Sequence, residues 1–484
     1  MIRASRIAAG IIGAAYLDSR SRHLPERPTV NHSMFKKILI ANRGDIAVRV
    51  IRACMEMKIA TVAVYSQADA DSLPVRMADE SVCIGPPPSR DSYLNAPNIL
   101  SAAMITGCDA VHPGIGFMAE NASFAEACAA VGVKFIGPSI ASIEKMGDKI
   151  TAKNTMRAAG VPVVPGSEGP VRDANEAARI AAQIGYPIKI KASAGGGGRG
   201  IRTVHDESDL ERTLKMAQQE AQSSFGNPDV YIERHIDQMR HVEVQVFADE
   251  HGNTIHLGER DCSIQTARHQ KIIEECRAPA LDDRLRRKIC EAAVRAAKAA
   301  DYANAGTVEF ILAPNGEFYF MEMNTRLQIE HCVTEAVTNL DLVKWQIRVA
   351  AGAKLDIRQS QVEWTGHAIE ARVTARDPER DFAPSAGVIT GLHLPGGPGV
   401  RVDTHITQGS TIPPYYDPMI AKIIVWDKTR DAAIVRLQRA LAEAHVEGVK
   451  TDLSLLRRIA ANVYFRRANL STAFLQQRLG ERDT

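Results

Sequence analysis

The sequence predicts a multidomain fold of the α/β and α+β classes, and three observations carry that prediction. The chain is 484 residues long, more than one hydrophobic core organises, so roughly two to four domains are expected. From Lys37, the stretches K-I-L-I-A, N-R-G, D-I-A-V-R-V-I-R-A-C-M-E-M-K and I-A-T-V-A-V-Y read as strand, glycine turn, amphipathic helix and strand. That is a βαβ unit, and it requires a parallel sheet. Further on, strand patterns such as V-E-V-Q-V-F at 242 and T-V-E-F-I-L at 307 alternate with helical segments, and G-H-A-I-E-A-R-V at 366 opens a β-rich stretch.

Strands at S-V-C-I-G and D-A-V-H-P, and K-F-I-G-P-S after a helix, extend the first unit. A first domain is therefore expected over 34–147. Residues near 149–160 read as a helix, and V-P-V-V-P-G-S-E-G-P after it is rich in turn formers. A second domain is expected over 148–356, with a lid at about 163–236 inside it, and a last, β-rich domain over 366–475.

Charge and composition exclude several partners. The 59 basic and 57 acidic residues leave a formal charge of +2, which offers neither nucleic acid nor an anionic membrane an electrostatic footprint. No apolar run reaches the length of a membrane span. Eight scattered cysteines, without a C-x-x-C pair or a Cys/His cluster, read as free thiols of a reducing, cytoplasmic compartment. Residues 1–33 stand apart, with Arg3, Arg6, Arg20, Arg22 and Arg27 against Asp18 and Glu26. They read either as a mitochondrial or plastid transit peptide or as an extension ahead of Met34, which could itself serve as a start. The second reading is preferred.

K-A-S-A-G-G-G-G-R-G at 191–200 fits the spacing of a dinucleotide fingerprint through Gly195, Gly197 and Gly200. That fingerprint needs a helix straight after the glycines, whereas an alternating I-R-T-V-H follows and I-K-I-K-A precedes. The stretch therefore reads as a glycine tip joining two antiparallel strands. Its backbone N–H groups are free to close over phosphate oxygens.

The stretch T-V-E-F-I-L-A-P-N-G-E-F-Y-F-M-E-M-N at 307–324 holds the hairpin signal Asn315-Gly316, read as a two-residue turn. In that register Glu309 faces Glu322. Two facing carboxylates repel unless a divalent cation lies between them, and all-oxygen ligands favour Mg2+ or Mn2+ over zinc. Asn324 points to the same face, and Arg326, Gln328 and Glu330 continue the alternation if the strand runs on. Lys149 and Lys191 are candidate phosphate contacts beside such a site.

These stretches belong to a longer series: I-A-N-R-G-D-I-A at 40, H-P-G-I-G-F at 112, M-G-D-K at 146, the glycine loop, R-H-V-E-V-Q at 240, E-R-D-C-S-I-Q at 259, R-H-Q-K at 268, E-M-N-T-R-L-Q-I-E-H at 322 and P-P-Y-Y-D at 413. In them, from Met34 almost to its end, the chain resembles biotin carboxylase of the ATP-grasp superfamily. The resemblance implies a Rossmann-like N-terminal domain, an ATP-grasp domain with a mobile glycine-rich lid, and a β-rich C-terminal domain. It implies that Gly196 and Gly197 close over ATP, that Lys149, Lys191, His241 and His269 contact the nucleotide, and that Glu233 and Ile236 lie by the adenine. Glu309 and Glu322, with Asn324, hold Mg2+ or Mn2+ in that reading. Bicarbonate lies among Lys271, Arg326, Gln328 and Ile329, with Glu330 as its base, and Arg372 stabilises the biotin enolate.

The resemblance further implies a homodimer that works with a biotin carboxyl carrier protein and a carboxyltransferase, the first half-reaction of an acetyl-CoA or acyl-CoA carboxylase in fatty acid biosynthesis. No M-K-M tripeptide occurs, so the biotinylated carrier is expected on a separate chain. Departures from the family pattern are one extra residue in Q-T-A-R-H-Q-K before Lys271, Ile115 for Tyr, Cys332 for Pro, Lys189 for an apolar residue and Asp45 for Glu. Other bicarbonate-activating ATP-grasp ligases and a regulatory nucleotide-binding paralogue are the alternatives these departures leave.

Overall fold

The computed structural model describes residues 34–193 and 200–479; Gly196 and Gly197 lie outside the described residues. The first βαβ unit forms as its pattern demands. Strands β1 (Lys37–Ile40), β2 (Ala60–Ser66), β3 (Glu80–Gly85), β4 (Ala110–His112) and β5 (Lys134–Phe135) make a five-stranded sheet in the order β3-β2-β1-β4-β5. Its pairings are parallel. Helix Gly44–Glu56 covers it with Ile46, Ala47, Val50, Ile51 and Cys54, the three-to-four spacing of one helix face. Gly114, in H-P-G-I-G-F, sits at φ +66°, and a Cβ there would meet Asn42 Nδ2 at 2.7 Å. That close approach lets Asn42 donate to the carbonyls of Pro113 and Ile115.

Strands β6 (Ile188–Ala192), β7 (Ile201–Val204) and β8 (Val230–Arg234) form a separate antiparallel sheet in the order β7-β6-β8. The expected glycine hairpin is thus present in its two strands. Period two sorts β6: Ile188, Ile190 and Ala192 are buried in a core with Leu210, Leu214 and Ala217 of helix Leu210–Phe225, while Lys189 and Lys191 point the other way, into a cleft.

Below the cleft lies an eight-stranded antiparallel sheet: β13 (Phe318–Asn324), β12 (Asn304–Leu312), β9 (Arg240–Ala248), β10 (Thr254–Gln265), β11 (Lys271–Cys276), β14 (His367–Thr374) and then the strands Met419–Asp427 and Val400–Thr404. Its far face carries Val242, Val244, Val308 and Phe310, packed on Ile289, Ala293 and Ala296 of helix Asp283–Ala299. The alternate residues His241, Glu243 and Glu309 line the opposite face. The sheet therefore buries an apolar core on one side and presents charge on the other.

Two local expectations are corrected here. The hairpin turn is not the two-residue Asn315-Gly316. The Ala313 N–H donates to the Glu317 carbonyl, so Pro314, Asn315 and Gly316 form a three-residue loop with Gly316 at φ +84°, the geometry of a turn closed by a glycine bulge. Beside the loop Phe310 faces Phe320, one step off the expected register, and a bulge at Met321 restores it so that Glu309 does face Glu322. Nor does β13 run on: it ends at Asn324, and Arg326 and Gln328 lie in irregular chain. Glu330 is the N-cap of helix His331–Thr338.

Candidate active site

The charged face of the large sheet and the lysine face of the lid sheet bound a cleft of about 800 Å³. Lys149, Lys191, Glu233, Ile236, His241, His269, Lys271, Glu309, Glu322, Asn324, Arg326, Gln328, Ile329 and Arg372 all line it. Glu330 is fully buried in its wall. Fourteen of these fifteen side chains thus share one cavity although they come from stretches far apart in sequence, and the fifteenth touches two of them.

Three carboxylates stand in a row across neighbouring strands, Glu243 facing Glu309 and Glu309 facing Glu322. Lys271 Nζ reaches Glu243 Oε2 at 2.6 Å, Glu309 Oε1 at 3.0 Å and Glu330 Oε1 at 2.6 Å. Burial alone would strip the Lys271 proton, but these three charges hold its pKa well above the ordinary lysine value. Burial likewise opposes the ionised form of Glu309, and Lys271 and His241 overcome it. His241 Nε2 lies 3.1 Å from Glu309 Oε2; burial opposes its charge, but the Glu309 charge together with hydrogen bonding to Glu243 and Glu309 raises His241 to about 9.

Glu322 differs from its neighbours. Burial and the Glu309 charge push it upward, and among the described residues it makes no hydrogen bond or ion pair. Asn324 Nδ2 donates to Glu309 Oε1 at 2.9 Å. An unpaired acid facing an ionised one, with the Asn324 amide oxygen, which accepts from Arg326 Nη2 at 3.3 Å, beside them, is a donor set that fits a hard divalent cation.

Lys271 is delivered despite the extra residue before it. Thr266–Gln270 forms a loop in which Thr266 N–H donates to the Gln270 carbonyl and His269 takes φ +60°. Lys271 then pairs with Gln265 and Ile273 with Ile264, leaving Ile272 as a bulge. Loop and bulge together absorb the addition.

Glu330 is clamped from two sides: besides Lys271, Arg372 Nη2 donates to Glu330 Oε2 at 2.9 Å. Burial and Glu243 disfavour its charge, yet Lys271, Arg372 and Arg260 keep it below the ordinary carboxyl value. It is a carboxylate at neutral pH. Arg326 Nε is held by Glu120 Oε2 at 2.8 Å. In the upper cleft, Glu233 takes Lys191 Nζ at 2.5 Å and also pairs with Lys153, whose Nζ sits 3.9 Å over the Tyr231 ring.

Sequence reasoning did not single out Glu243, Glu120 or Lys153. The signal for Glu243 was legible in R-H-V-E-V-Q, where polar residues alternate with valines in a strand. For Glu120 and Lys153 there was none, because each acts through a partner distant in the chain. Of the departures, Ile115 and Lys189 line the cleft. Cys332 is buried, its Sγ 3.3 Å from Asp403 and 3.2 Å from Lys422 Nζ.

A lid sheet over a carboxylate-bearing sheet, with lysines above and acids below, defines an ATP-grasp ligase. Three family descriptions match in chain order: biotin carboxylase N-terminal domain at 34–143, the ATP-binding domain of the carbamoyl-phosphate synthase L chain at 148–358 and biotin carboxylase C-terminal domain at 370–477. Biotin carboxylase 1 of Bacillus subtilis is 56% identical over 92% of this chain and 98% of its own length. The biotin carboxylase of Pseudomonas aeruginosa is 50% identical over 92% of this chain and 99% of its own. The dimeric biotin carboxylase domain of Hydrogenobacter thermophilus 2-oxoglutarate carboxylase, solved with MgADP, ADP and bicarbonate, superposes with a TM-score of 0.88. It is 48% identical, covering 92% of this chain and 98% of that one. The chain belongs to the biotin carboxylase family.

Proposed function

We propose that this chain carboxylates biotin on a separate carrier protein, consuming ATP and bicarbonate. The observation that carries the reading is the clamp on Glu330: a buried carboxylate, held ionised by Lys271 and Arg372, at the junction of the lysine-lined and arginine-lined parts of one cleft.

Lys149, Lys191 and His241 offset the phosphate charge of ATP, His269 contacts the nucleotide beside them, and Glu233 with Ile236 borders the base. Glu309 and Glu322, with Asn324, would hold Mg2+ or Mn2+, which would neutralise phosphate oxygens. Bicarbonate is oriented by Arg326, Gln328, Ile329 and Lys271. Glu330 takes its proton, and the carbonate oxygen attacks the γ-phosphorus as ADP leaves. Carboxyphosphate then splits into CO2 and phosphate. The phosphate removes the ureido N–H proton of biotin, Arg372 stabilises the enolate, and the nitrogen captures CO2. Glu330 is suited to its step because it is ionised and dry.

Gly196 and Gly197 close the lid in this reading, and the chain divides into segments 34–147, 148–356 and 366–475. We further infer a homodimer that serves a carrier protein and a carboxyltransferase of an acyl-CoA carboxylase. Eight unpaired cysteines support a cytoplasmic setting, and among the described residues no helix is long and apolar enough to cross a membrane. The test is transfer of label from bicarbonate to biotin: acid-labile carboxybiotin that requires ATP supports the reading, and label that never reaches biotin overturns it.

A further inference from the structure

Behind Glu330 lies a second group of charges that the steps above leave unused. Glu274 on β11 faces Glu370 on β14, and Arg372 faces Lys422 of the strand Met419–Asp427. Glu370 and Arg372, two apart, share a sheet face. Glu274, Glu370 and Lys422 are completely buried. Arg372 bridges this group to the cleft: its Nη2 binds Glu330, and its Nε stands 2.5 Å from Glu274 Oε1. That second contact is an ion pair without hydrogen-bond alignment. Among the described residues, none of the four carboxylate oxygens of Glu274 and Glu370 has a hydrogen-bond partner.

Two ionised carboxylates facing each other in a dry sheet repel strongly, and one proton between them removes the repulsion and satisfies an oxygen on each. Facing side chains on adjacent strands are close enough for their carboxyls to meet. The surrounding charges do not remove the need. Arg372, Glu330, Lys271 and Glu243 act on Glu274; Lys422, Arg372 and Glu330 act on Glu370. Lys422 is already engaged by Asp45 at 3.1 Å, the Ile329 carbonyl at 3.2 Å and Cys332. Burial, against the pull of Arg372, pushes Glu274 up to about 7, and burial lifts Glu370 well above the carboxyl range despite Lys422.

We propose that Glu274 and Glu370 share one proton, Glu274 being the ionised partner that holds Arg372 and Glu370 the acid behind it, so that the pair positions the guanidinium for biotin. Glu274 and Glu370 are positioning residues, and the inference rests on the role given above to Arg372.

Steady-state kinetics of E274Q, E274D and E370Q with free biotin test it. E274Q removes the counter-charge: biotin-dependent kcat falls by at least about tenfold while KM for ATP moves by less than about twofold. E274D keeps the charge and recovers part of the rate. E370Q mimics the neutral acid and cannot ionise. In the wild type, rising pH removes the Glu370 proton and adds a second negative charge beside Arg372, so the alkaline limb of the biotin-dependent rate moves up by at least about one pH unit in E370Q. This second readout stands even if E274Q does not fold. An E274Q kcat within about twofold of wild type, or an unshifted alkaline limb in E370Q, overturns the proposal. A wild-type chain that biotin does not stimulate overturns the functional reading and this inference with it, whereas a stimulated wild type with unaffected variants overturns this inference alone.

Discussion

Lys271 Nζ lies 2.6 Å from Glu330 Oε1 and 2.6 Å from Glu243 Oε2, so one ammonium joins the carboxylate proposed as base to the row of acids on the sheet. Lys271 is nearly buried and Glu243 and Glu330 are fully so, so losing the ammonium takes a cationic partner from each acid where water cannot replace it.

Lys271→Met therefore leaves Glu243, Glu309 and Glu330 without their shared cation. Each keeps another partner, Arg260, His241 or Arg372, but removing one member of a buried ion-pair network still costs about 3 to 5 kcal/mol. Urea unfolding should show a loss on that order, and ADP release should fall by at least about a hundredfold, since Glu330 loses one of its two clamping cations and bicarbonate one of its proposed contacts. A variant with wild-type stability and turnover would contradict the network.

Glu322→Gln separates metal binding from folding. Half-maximal turnover should need at least about tenfold more Mg2+. Removing one of two facing acids relieves repulsion, so thermal stability measured in a chelator should hold or rise by up to about 1 kcal/mol. Turnover at the wild-type Mg2+ requirement would dismiss Glu322 as a ligand.

ATP binding should take up protons near neutral pH. Burial and the charges of Lys189 and Lys149 lower Lys191 to about 7, and burial with Lys191 and Lys149 lowers Lys153 to about 6. Glu322 pulls Lys191 the other way. A polyphosphate favours the ammonium form, so the bound-state pKa rises and protons enter between about pH 6 and pH 8. Calorimetry in buffers of different ionisation enthalpy measures this directly; proton release on binding would reverse the sign and refute the assignment.

Deleting Ala267 shortens the Thr266–Gln270 loop without touching β10 or β11. Because the loop and the Ile272 bulge absorb the extra residue, the variant should keep activity within about threefold of wild type. Complete loss would show that the longer loop itself is required.

The facing of Glu309 and Glu322 was legible because both lie in alternating runs around one turn signal. The turn was misread by one residue, and the site kept its register only because the Met321 bulge offsets the longer loop. Glu243 could not be placed beside Glu309 from sequence, since that pairing joins strands from separate regions of the chain. The continued alternation to Glu330 failed for a local reason: β13 stops at Asn324, and Glu330 reaches the site as a helix cap. The parallel sheet was easier to read, because each strand, turn and helix follows the last in sequence.

One cleft is proposed to couple ATP cleavage to a biotin acceptor. The first measurement is ADP release by the purified chain with ATP, Mg2+ and bicarbonate, with and without free biotin. Biotin should stimulate the rate in the wild type and not in Glu330→Gln; bound ATP with a rate indifferent to biotin would rule out the coupling.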